Sequence, residues 1–374
     1  MAIQSVECEL FSLLGGDGKA RIASRYCGFD GLGGATLHVV GAEFGVTAER
    51  VRQVVGEVVR RLGHQLPAAP VLDAAIAFIR AHTPGLAGDI EGKLQSSGLS
   101  ALPFRIEGIL RAAELFGRPA PFSLTETPKV RLVHSLSPPA LDAIIRAARR
   151  AVERRGVATL HAVSAELRGL APETAGSRLI ADLLNGAENI RWLDEAAGWF
   201  WLPDVPRNPV VRRVRKVLSV ANPVRLAELC AGVARESRLQ SDPPPPAVLL
   251  ELCRQTPGLR VDGESIAAEP AIDPREVLGD LEHAIVEVLV EQGGVMRRAD
   301  LAVVCRERGV NRSSFYSALS QSPVIAVYPG GLLGVIGAEI APGAAPDPDT
   351  KQRSRYLHSK ARAAHAISFR KLLQ

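Results

Sequence analysis

The sequence predicts a mainly α-helical chain of several small domains, with short β-hairpins closing the helical units. Three observations lead to this fold class. Apolar residues recur with the 3.6-residue period of a helix through much of the chain. Only 5% of the residues are aromatic and 26 of 374 are proline, which favours short helices and turns over one large sheet. Paired apolar runs around polar or glycine-containing turns follow the helices, as hairpins do.

One order of elements is predicted three times: a helix, a short extended segment with a β-branched residue, two more helices and a hairpin. We call the short extended segment the step. This is the order of a winged helix, and its recurrence predicts an array of helix-turn-helix and winged-helix units. The step residues of the three units are Val157, Val220 and Val295. The predicted winged-helix units are residues 137–204, 208–270 and 274–340.

The remaining segments are assigned by periodicity and charge. Residues 68–125 are predicted to be helical, and whether they form a further degenerate unit stays open at this point. A linker is predicted at 120–138 from its proline and polar content. Seven basic residues and no acidic residue follow Asp349, so residues 341–374 are predicted to be a basic tail, disordered or helical, that can contact phosphates.

The clearest local signal is a helix-turn-helix within a first domain at residues 1–66. Leu37, Val40 and Phe44 form a short apolar stripe, Gly45 suits a tight turn, and Thr47 is a good N-cap for a second helix. One face of that second helix is predicted to be buried; it carries Val51, Val54, Val55, Val58 and Leu62. The opposite face is polar, as in a recognition helix.

A family resemblance is carried by residues 25–31, by Thr36-Leu37 and by residues 41–53. Together they resemble region four of the sigma-70 family of RNA polymerase sigma factors, most specifically in the run from Glu49 to Gln53. In that family the second helix binds the promoter −35 element, and the module also contacts the polymerase. Nothing in the rest of the chain resembles the family's strand-melting region. The resemblance therefore implies a sigma-like regulator or accessory protein, and not a complete sigma factor.

The predicted function is sequence-specific binding of double-stranded DNA in bacterial transcription, with RNA polymerase as a second candidate partner. The resemblance and the polar helix face predict these DNA-binding residues: Thr36, Thr47, Glu49, Arg50, Arg52, Gln53 and Arg60. Candidate phosphate contacts are Arg25, Arg61, Arg212, Arg213, Arg215, Lys216, Lys351, Arg353 and Arg355. The run from Arg212 to Lys216 equally fits the solvated face of a helix. Trp192, Trp199 and Trp201 fit packing in a hairpin better than a platform for stacking bases.

Other function classes have little support in the sequence. The five cysteines are widely spaced and the histidines form no metal-ligand pair, so neither a disulfide framework nor a metal site is predicted. No catalytic motif, cofactor or small-molecule ligand is indicated, and the chain is predicted not to be an enzyme. With no signal peptide and no long apolar run, it is predicted to be cytoplasmic, associated with the nucleoid and not with a membrane.

A second function class stays open beside DNA binding. Winged helices also serve as protein-interaction modules, and a fold does not by itself fix a function. The alternative is a scaffold or accessory subunit that uses its winged helices to hold a protein partner, such as RNA polymerase or a component of a defence system.

Overall fold

The computed structural model describes residues 5–62, 67–168, 176–235 and 242–338. These residues form seventeen α-helices and twelve short β-strands, and the strands lie in four three-stranded antiparallel sheets. The mainly helical fold class with short β-hairpins is confirmed.

The chain divides into two compact units. Unit 1 contains the described residues within 1–147 and 160–190, and unit 2 contains those within 148–159 and 191–374. The division does not follow the predicted domains, because the predicted winged-helix segment 137–204 contributes to both units.

Unit 1 begins with an N-terminal module of four helices. These are α1 (Val6–Leu13), α2 (Gly18–Cys27), α3 (Leu37–Phe44) and α4 (Ala48–Leu62). The Asp17 carboxylate caps α2 by accepting from the Ala20 amide at 2.8 Å, and α2 ends at Gly28, whose φ of +78° is a left-handed conformation that suits glycine.

The next segment is a complete helix, strand, helix, helix and hairpin repeat. Its elements are α5 (Pro70–Ala81), β1 (Gly85–Leu86), α6 (Ala87–Ser96), α7 (Ile106–Leu115), β2 (Ser123–Glu126) and β3 (Arg131–His134). The prediction of a helical segment at 68–125 followed by a linker at 120–138 is therefore wrong in part. The turn between β2 and β3 is closed by Thr127, whose amide donates to the Val130 carbonyl at 2.9 Å.

The N-terminal module and this first repeat share one core, although the sequence analysis treats them as separate segments. Val6 and Leu10 of α1 belong to the same buried cluster as Leu72 and Ile109. The buried Glu9 carboxylate accepts from the Val71 and Leu72 amides at 3.0 and 2.8 Å and so caps α5. A helix of the module thus satisfies the free amides at the start of a helix in the repeat.

The second repeat contains α8 (Pro138–Arg155), β4 (Ala158–Thr159), α9 (Leu160–Arg168), α10 (Ser177–Gly186), β5 (Arg191–Asp194) and β6 (Trp199–Trp201). Its helices α9 and α10 belong to unit 1, and its strands belong to unit 2. In unit 1, α10 packs against β3 of the first repeat, and Gly186 lies against the Thr127 side chain.

The third repeat lies wholly in unit 2. Its elements are α11 (Pro209–Val220), β7 (Val224–Arg225), α12 (Leu226–Val233), α13 (Pro246–Gln255), β8 (Leu259–Asp262) and β9 (Ser265–Ala268). Asn208 caps α11 by accepting from the Val210 and Val211 amides at 3.0 and 3.1 Å. The predicted step at Val220 is wrong, because α11 continues to that residue and the strand follows at Val224.

The fourth repeat closes the described part of unit 2. It consists of α14 (Pro274–Val277), α15 (Asp280–Glu291), β10 (Val295–Arg297), α16 (Arg298–Glu307), α17 (Arg312–Gln321), β11 (Ile325–Val327) and β12 (Leu332–Val335). Asn311 is the N-cap of α17, as predicted, and accepts from the Ser313 amide at 2.8 Å.

All four sheets have the same topology. The first strand of each repeat pairs with the last strand of the hairpin, so that the last strand is central in each sheet. In the third repeat, for example, Val224 pairs with Ile266, and Asp262 pairs with Ser265 across the predicted Asp262-Gly263 turn. This is the strand arrangement expected of a winged helix.

Candidate nucleic-acid interface

The helix-turn-helix is built by α3, a tight turn and α4. Gly45 ends α3 with a φ of +67°, which a residue with a side chain adopts at a cost. A Cβ at Gly41 would lie 2.7 Å from the Val46 carbonyl oxygen, so the close approach of α3 to the turn requires glycine there as well. The Thr36 and Thr47 hydroxyls accept from the Val39 and Arg50 amides at 3.4 and 3.2 Å.

These two threonines were predicted to contact DNA, and the structure gives them a capping role. Thr47 lies at the start of α4, as expected for its N-cap. Both residues are exposed at helix N-termini.

The buried face of α4 fixes which side chains face solvent. Val51, Val54 and Val58 are fully buried, and the predicted core residues Val55 and Leu62 are half-buried against the hydrophobic cluster that contains Val58. Burying a valine contributes about 1.5 kcal/mol or more, so this face sets the rotation of the helix about its axis.

The α3 stripe is buried less completely than the sequence predicts. Val40 is buried and Leu37 half-buried, but Phe44 keeps 39% of its surface exposed. The physical reason is its position: α3 ends at Phe44, and the chain turns away at Gly45 before further side chains can cover the ring.

Three of the predicted DNA-binding side chains form one cluster on the exposed face of α4. Arg52 donates to both Glu49 carboxylate oxygens at 2.7 and 2.8 Å, and the Gln53 amide donates to the same carboxylate at 3.2 Å. The hydrogen bond from Arg52 holds the pKa of the Glu49 carboxyl below its usual value. The carboxylate thus holds the two side chains at neighbouring positions on the solvent-facing surface.

Arg50 and Arg60 lie outside this cluster. Arg50 donates to the Gln53 amide oxygen at 3.4 Å and lies 3.9 Å from Glu57, which is also paired with Lys19 at 2.7 Å. Arg60, on the last turns of α4, donates from Nε to the Gly56 carbonyl at 3.1 Å. Both arginines are exposed. Lys19 reaches this surface from α2 and was not predicted, because nothing in the sequence places α2 beside the middle of α4.

The two other arginines predicted as phosphate contacts in this module are held within the fold. Arg25 pairs with Glu43 at 2.9 Å and donates to the Gly33 carbonyl at 3.0 Å. Arg61 donates to the Leu14 carbonyl. These contacts stabilise the loop after α2 and the end of α1, so a second role toward phosphate would compete with them.

The predicted basic run on α11 divides into exposed and engaged side chains. Arg212 and Arg215 are exposed. Arg213 is buried and donates to the Gln321 carbonyl at 3.1 Å, and Lys216 is paired with Glu282. The helix is amphipathic, as the sequence allowed, but two of its basic side chains lie on the packed side. The tail candidates Lys351, Arg353 and Arg355 lie outside the described residues.

The tryptophan hairpin has a structural role. Trp199 and Trp201 are buried, and the Trp201 indole donates to the Gln255 amide oxygen at 2.9 Å. The Gln255 amide nitrogen donates in turn to the Trp192 carbonyl at 2.8 Å. These contacts tie α13 to the hairpin of β5 and β6, as the packing interpretation expected.

Metal-ligating side chains do not cluster in the described part of the chain. No group of three or more His, Cys, Asp or Glu side chains in the described ranges could hold a metal ion. Burial raises the pKa of the Cys253 thiol to about 12, so it stays protonated at neutral pH. Within the same ranges, every helix is too short or too polar to cross a bilayer.

Neither a protein-family model nor a curated protein matches this chain. The proposed function therefore depends on the residues and their geometry.

Proposed function

We propose that the chain is a sequence-specific DNA-binding protein of transcription regulation or initiation, with α4 as its recognition helix in the major groove. The observation that carries the proposal is the exposed cluster of Glu49, Arg52 and Gln53 on a helix whose opposite face is anchored by buried valines. Arginine pairs with guanine and glutamine with adenine in the major groove, and a carboxylate accepts from cytosine.

The pairing of the cluster suggests how it engages DNA. In the free protein the Glu49 carboxylate occupies the donors of Arg52 and Gln53. On DNA these donors exchange the carboxylate for acceptors on base edges. Both donors are exposed, and exposed ion pairs contribute about 0 to 1 kcal/mol, so the exchange costs little.

The electrostatics of α4 support contact with a polyanion. The helix carries four arginines and two glutamates, and Arg50 and Arg60 are exposed. We assign these two arginines to phosphates, which position the helix, and Arg52 and Gln53 to base edges, which specify the sequence. The resemblance to sigma region four agrees with this division and makes RNA polymerase a further proposed partner. Such a protein acts in the cytoplasm, at the nucleoid.

Selection of bound sequences from a random duplex pool tests the proposal. The expected result is enrichment of one short motif by the parent protein, and loss of that motif when Arg52→Ala and Gln53→Ala are combined. Recovery of the same unenriched pool from parent and double variant would overturn it.

A protein-scaffold function is the second candidate, and one observation favours it. The third helix of a DNA-binding winged helix normally reads the groove, but α13 is packed on the hairpin of the preceding repeat through Gln255. A repeat used in this way acts as a connector. Two results together would favour the scaffold function over DNA reading. The Arg52→Ala/Gln53→Ala double variant would bind purified RNA polymerase core stably, and the parent protein would show no sequence preference on DNA.

A further inference from the structure

A second polar surface lies in unit 2, where α11 faces α15 and α17 across an open cleft of about 650 Å³. This volume is within the range of ligand-binding pockets. Arg212, Arg213 and Lys216 contribute from α11, and Ser313, Ser314 and Ser317 contribute from α17.

The α11 side of the cleft is cationic. Its three basic side chains face a single carboxylate among the lining residues, that of Glu282, which Lys216 already engages. Arg213 is held by the Gln321 carbonyl at 3.1 Å. Arg212 is exposed, and no side chain in the described ranges pairs with its guanidinium. The cleft thus combines fixed positive charge with one arginine that is available to a ligand.

The α17 side of the cleft supplies hydroxyl groups. Ser313, Ser314 and Ser317 follow the i, i+1, i+4 spacing of one helix face, and all three are exposed. Within the described residues, none of their hydroxyls has a hydrogen-bond partner. Arginine with serine hydroxyls is the donor set that proteins direct at phosphate oxygens.

The lining also indicates which part of a phosphate ligand is bound. No aromatic side chain is among the described lining residues, so the cleft offers no platform on which a base could stack. We propose that this cleft binds phosphate groups of a nucleic-acid backbone, independently of base sequence. It is a surface separate from α4, so the inference goes beyond the proposed reading of sequence by that helix.

The test uses the full chain with Arg52→Ala and Gln53→Ala already introduced, so that readout by α4 is removed. Binding to a random-sequence duplex is measured by fluorescence anisotropy across about 50 to 200 mM salt. Arg212→Ala is compared with Arg306→Ala, an exposed arginine of α16 in the same unit that does not line the cleft. Ser314→Glu is compared with Ser320→Glu, which lies on α17 but outside the cleft.

We expect Arg212→Ala to reduce the slope of log affinity against log salt by about 0.9, the value for one phosphate contact. Ser314→Glu should weaken binding further, and the two control variants should match the background protein. Equal slopes for Arg212→Ala and Arg306→Ala would overturn the proposal. So would an Arg212-dependent affinity for polyglutamate or for pyrophosphate with no effect on DNA, which would assign the cleft to an acidic peptide or to a small free phosphate.

These outcomes are separable from a failure of the proposed function. Loss of an enriched motif concerns α4, and the salt slopes of this series concern α11 and α17. Thermal melts of each variant confirm that it is folded, which is expected because Arg212 and Ser314 are exposed.

Discussion

In the free protein, Glu49 determines how the side chains on the predicted DNA-binding face of α4 are arranged. It is the shared acceptor for Arg52 and Gln53, and both hydrogen bonds lie within one turn of α4. A carboxylate on a DNA-facing surface repels phosphates, but here it also keeps two long side chains in a defined arrangement. At the scale of single residues, Glu49 therefore orients the neighbouring side chains of Arg52 and Gln53.

The pKa of Glu49 provides a direct check of this arrangement. Because Arg52 lowers it, Arg52→Ala should return the pKa toward the usual glutamate value in an NMR titration of the side-chain carboxyl. Since the folded-state pKa is the lower one, any stabilisation by the pair is present above the usual carboxyl pKa and is lost as the pH falls. Arg60→Ala is the control. An unchanged titration in Arg52→Ala would contradict the pairing.

Substitution by alanine is expected to change the free energy of unfolding in opposite directions at two glycines of the helix-turn-helix. Gly41→Ala places a methyl group 2.7 Å from the Val46 carbonyl oxygen, and overpacking of this kind costs about 1 to 3 kcal/mol. Gly56→Ala meets nothing within 4 Å and should stabilise α4 by up to about 1 kcal/mol. Urea denaturation measures both free energies of unfolding. Stabilisation by Gly41→Ala equal to that by Gly56→Ala would show that the turn is not tightly packed.

At the scale of elements, the third helices of the repeats differ in what covers them. Helix α7 packs against the end of α2, where a Cβ at Gly108 would lie 2.3 Å from the Gly28 carbonyl oxygen. Helix α10 packs on β3, and α13 on β5. Only α17, among these four described helices, presents a serine-rich face to an open cleft. Three of these third helices are therefore covered by other parts of the chain.

The contact between α13 and the tryptophan hairpin predicts that Gln255→Ala lowers the free energy of unfolding. Gln255→Ala leaves the buried Trp201 indole without its acceptor, and an unsatisfied donor of this kind costs about 1 to 3 kcal/mol. All three tryptophans of the chain lie in this hairpin, so their fluorescence during denaturation reports on it. The adjacent exposed Arg254→Ala should change stability by less than about 0.5 kcal/mol. Equal midpoints for the two variants would mean that Gln255 does not hold this contact.

The elements also show how far the sequence could predict the fold. Periodicity and capping residues identify α4, α11 and α17, because an amphipathic helix with an N-cap is a local property. The hairpin at 123–134 was missed, since its Thr-Pro-Lys turn has the composition of a linker and its strands are only four residues long. The shared core of α1 with α5 and α7 depends on packing between distant segments, which periodicity does not report.

The candidate site was predictable to a similar extent. The exposed positions of Glu49, Arg52 and Gln53 follow from the valine spacing on the opposite face. The contacts that hold Arg61 and Arg213 do not, because their partners are backbone carbonyls of distant segments. The pairing of Arg25 with Glu43 depends on how α2 packs beside α3, which periodicity does not report. The serine face of α17 was also missed, because these serines line a cleft only in combination with α11, which lies opposite.

At the scale of the whole molecule, positive charge is concentrated in a few places along an otherwise balanced chain, and one of these is the basic segment after Asp349. Deleting residues 351–374 should flatten the salt dependence of duplex binding, because each phosphate contact adds about −0.9 to the log-log slope. A chain of full length with the seven basic residues changed to glutamine controls for the loss of length. If the deletion leaves the slope as it was, the segment makes no phosphate contacts.

Whether α4 reads base sequence is tested by comparing binding to two kinds of DNA. Affinities of the parent, Arg52→Ala and Gln53→Ala are measured on the selected site and on random DNA at one salt concentration, with thermal melts to confirm folding. Val54→Asp, at a buried position, serves as the unfolded reference. We expect each of the two surface variants to lose about 1 to 3 kcal/mol of binding free energy on the selected site and to keep its affinity for random DNA. Folded variants that bind both DNAs as the parent does would contradict it.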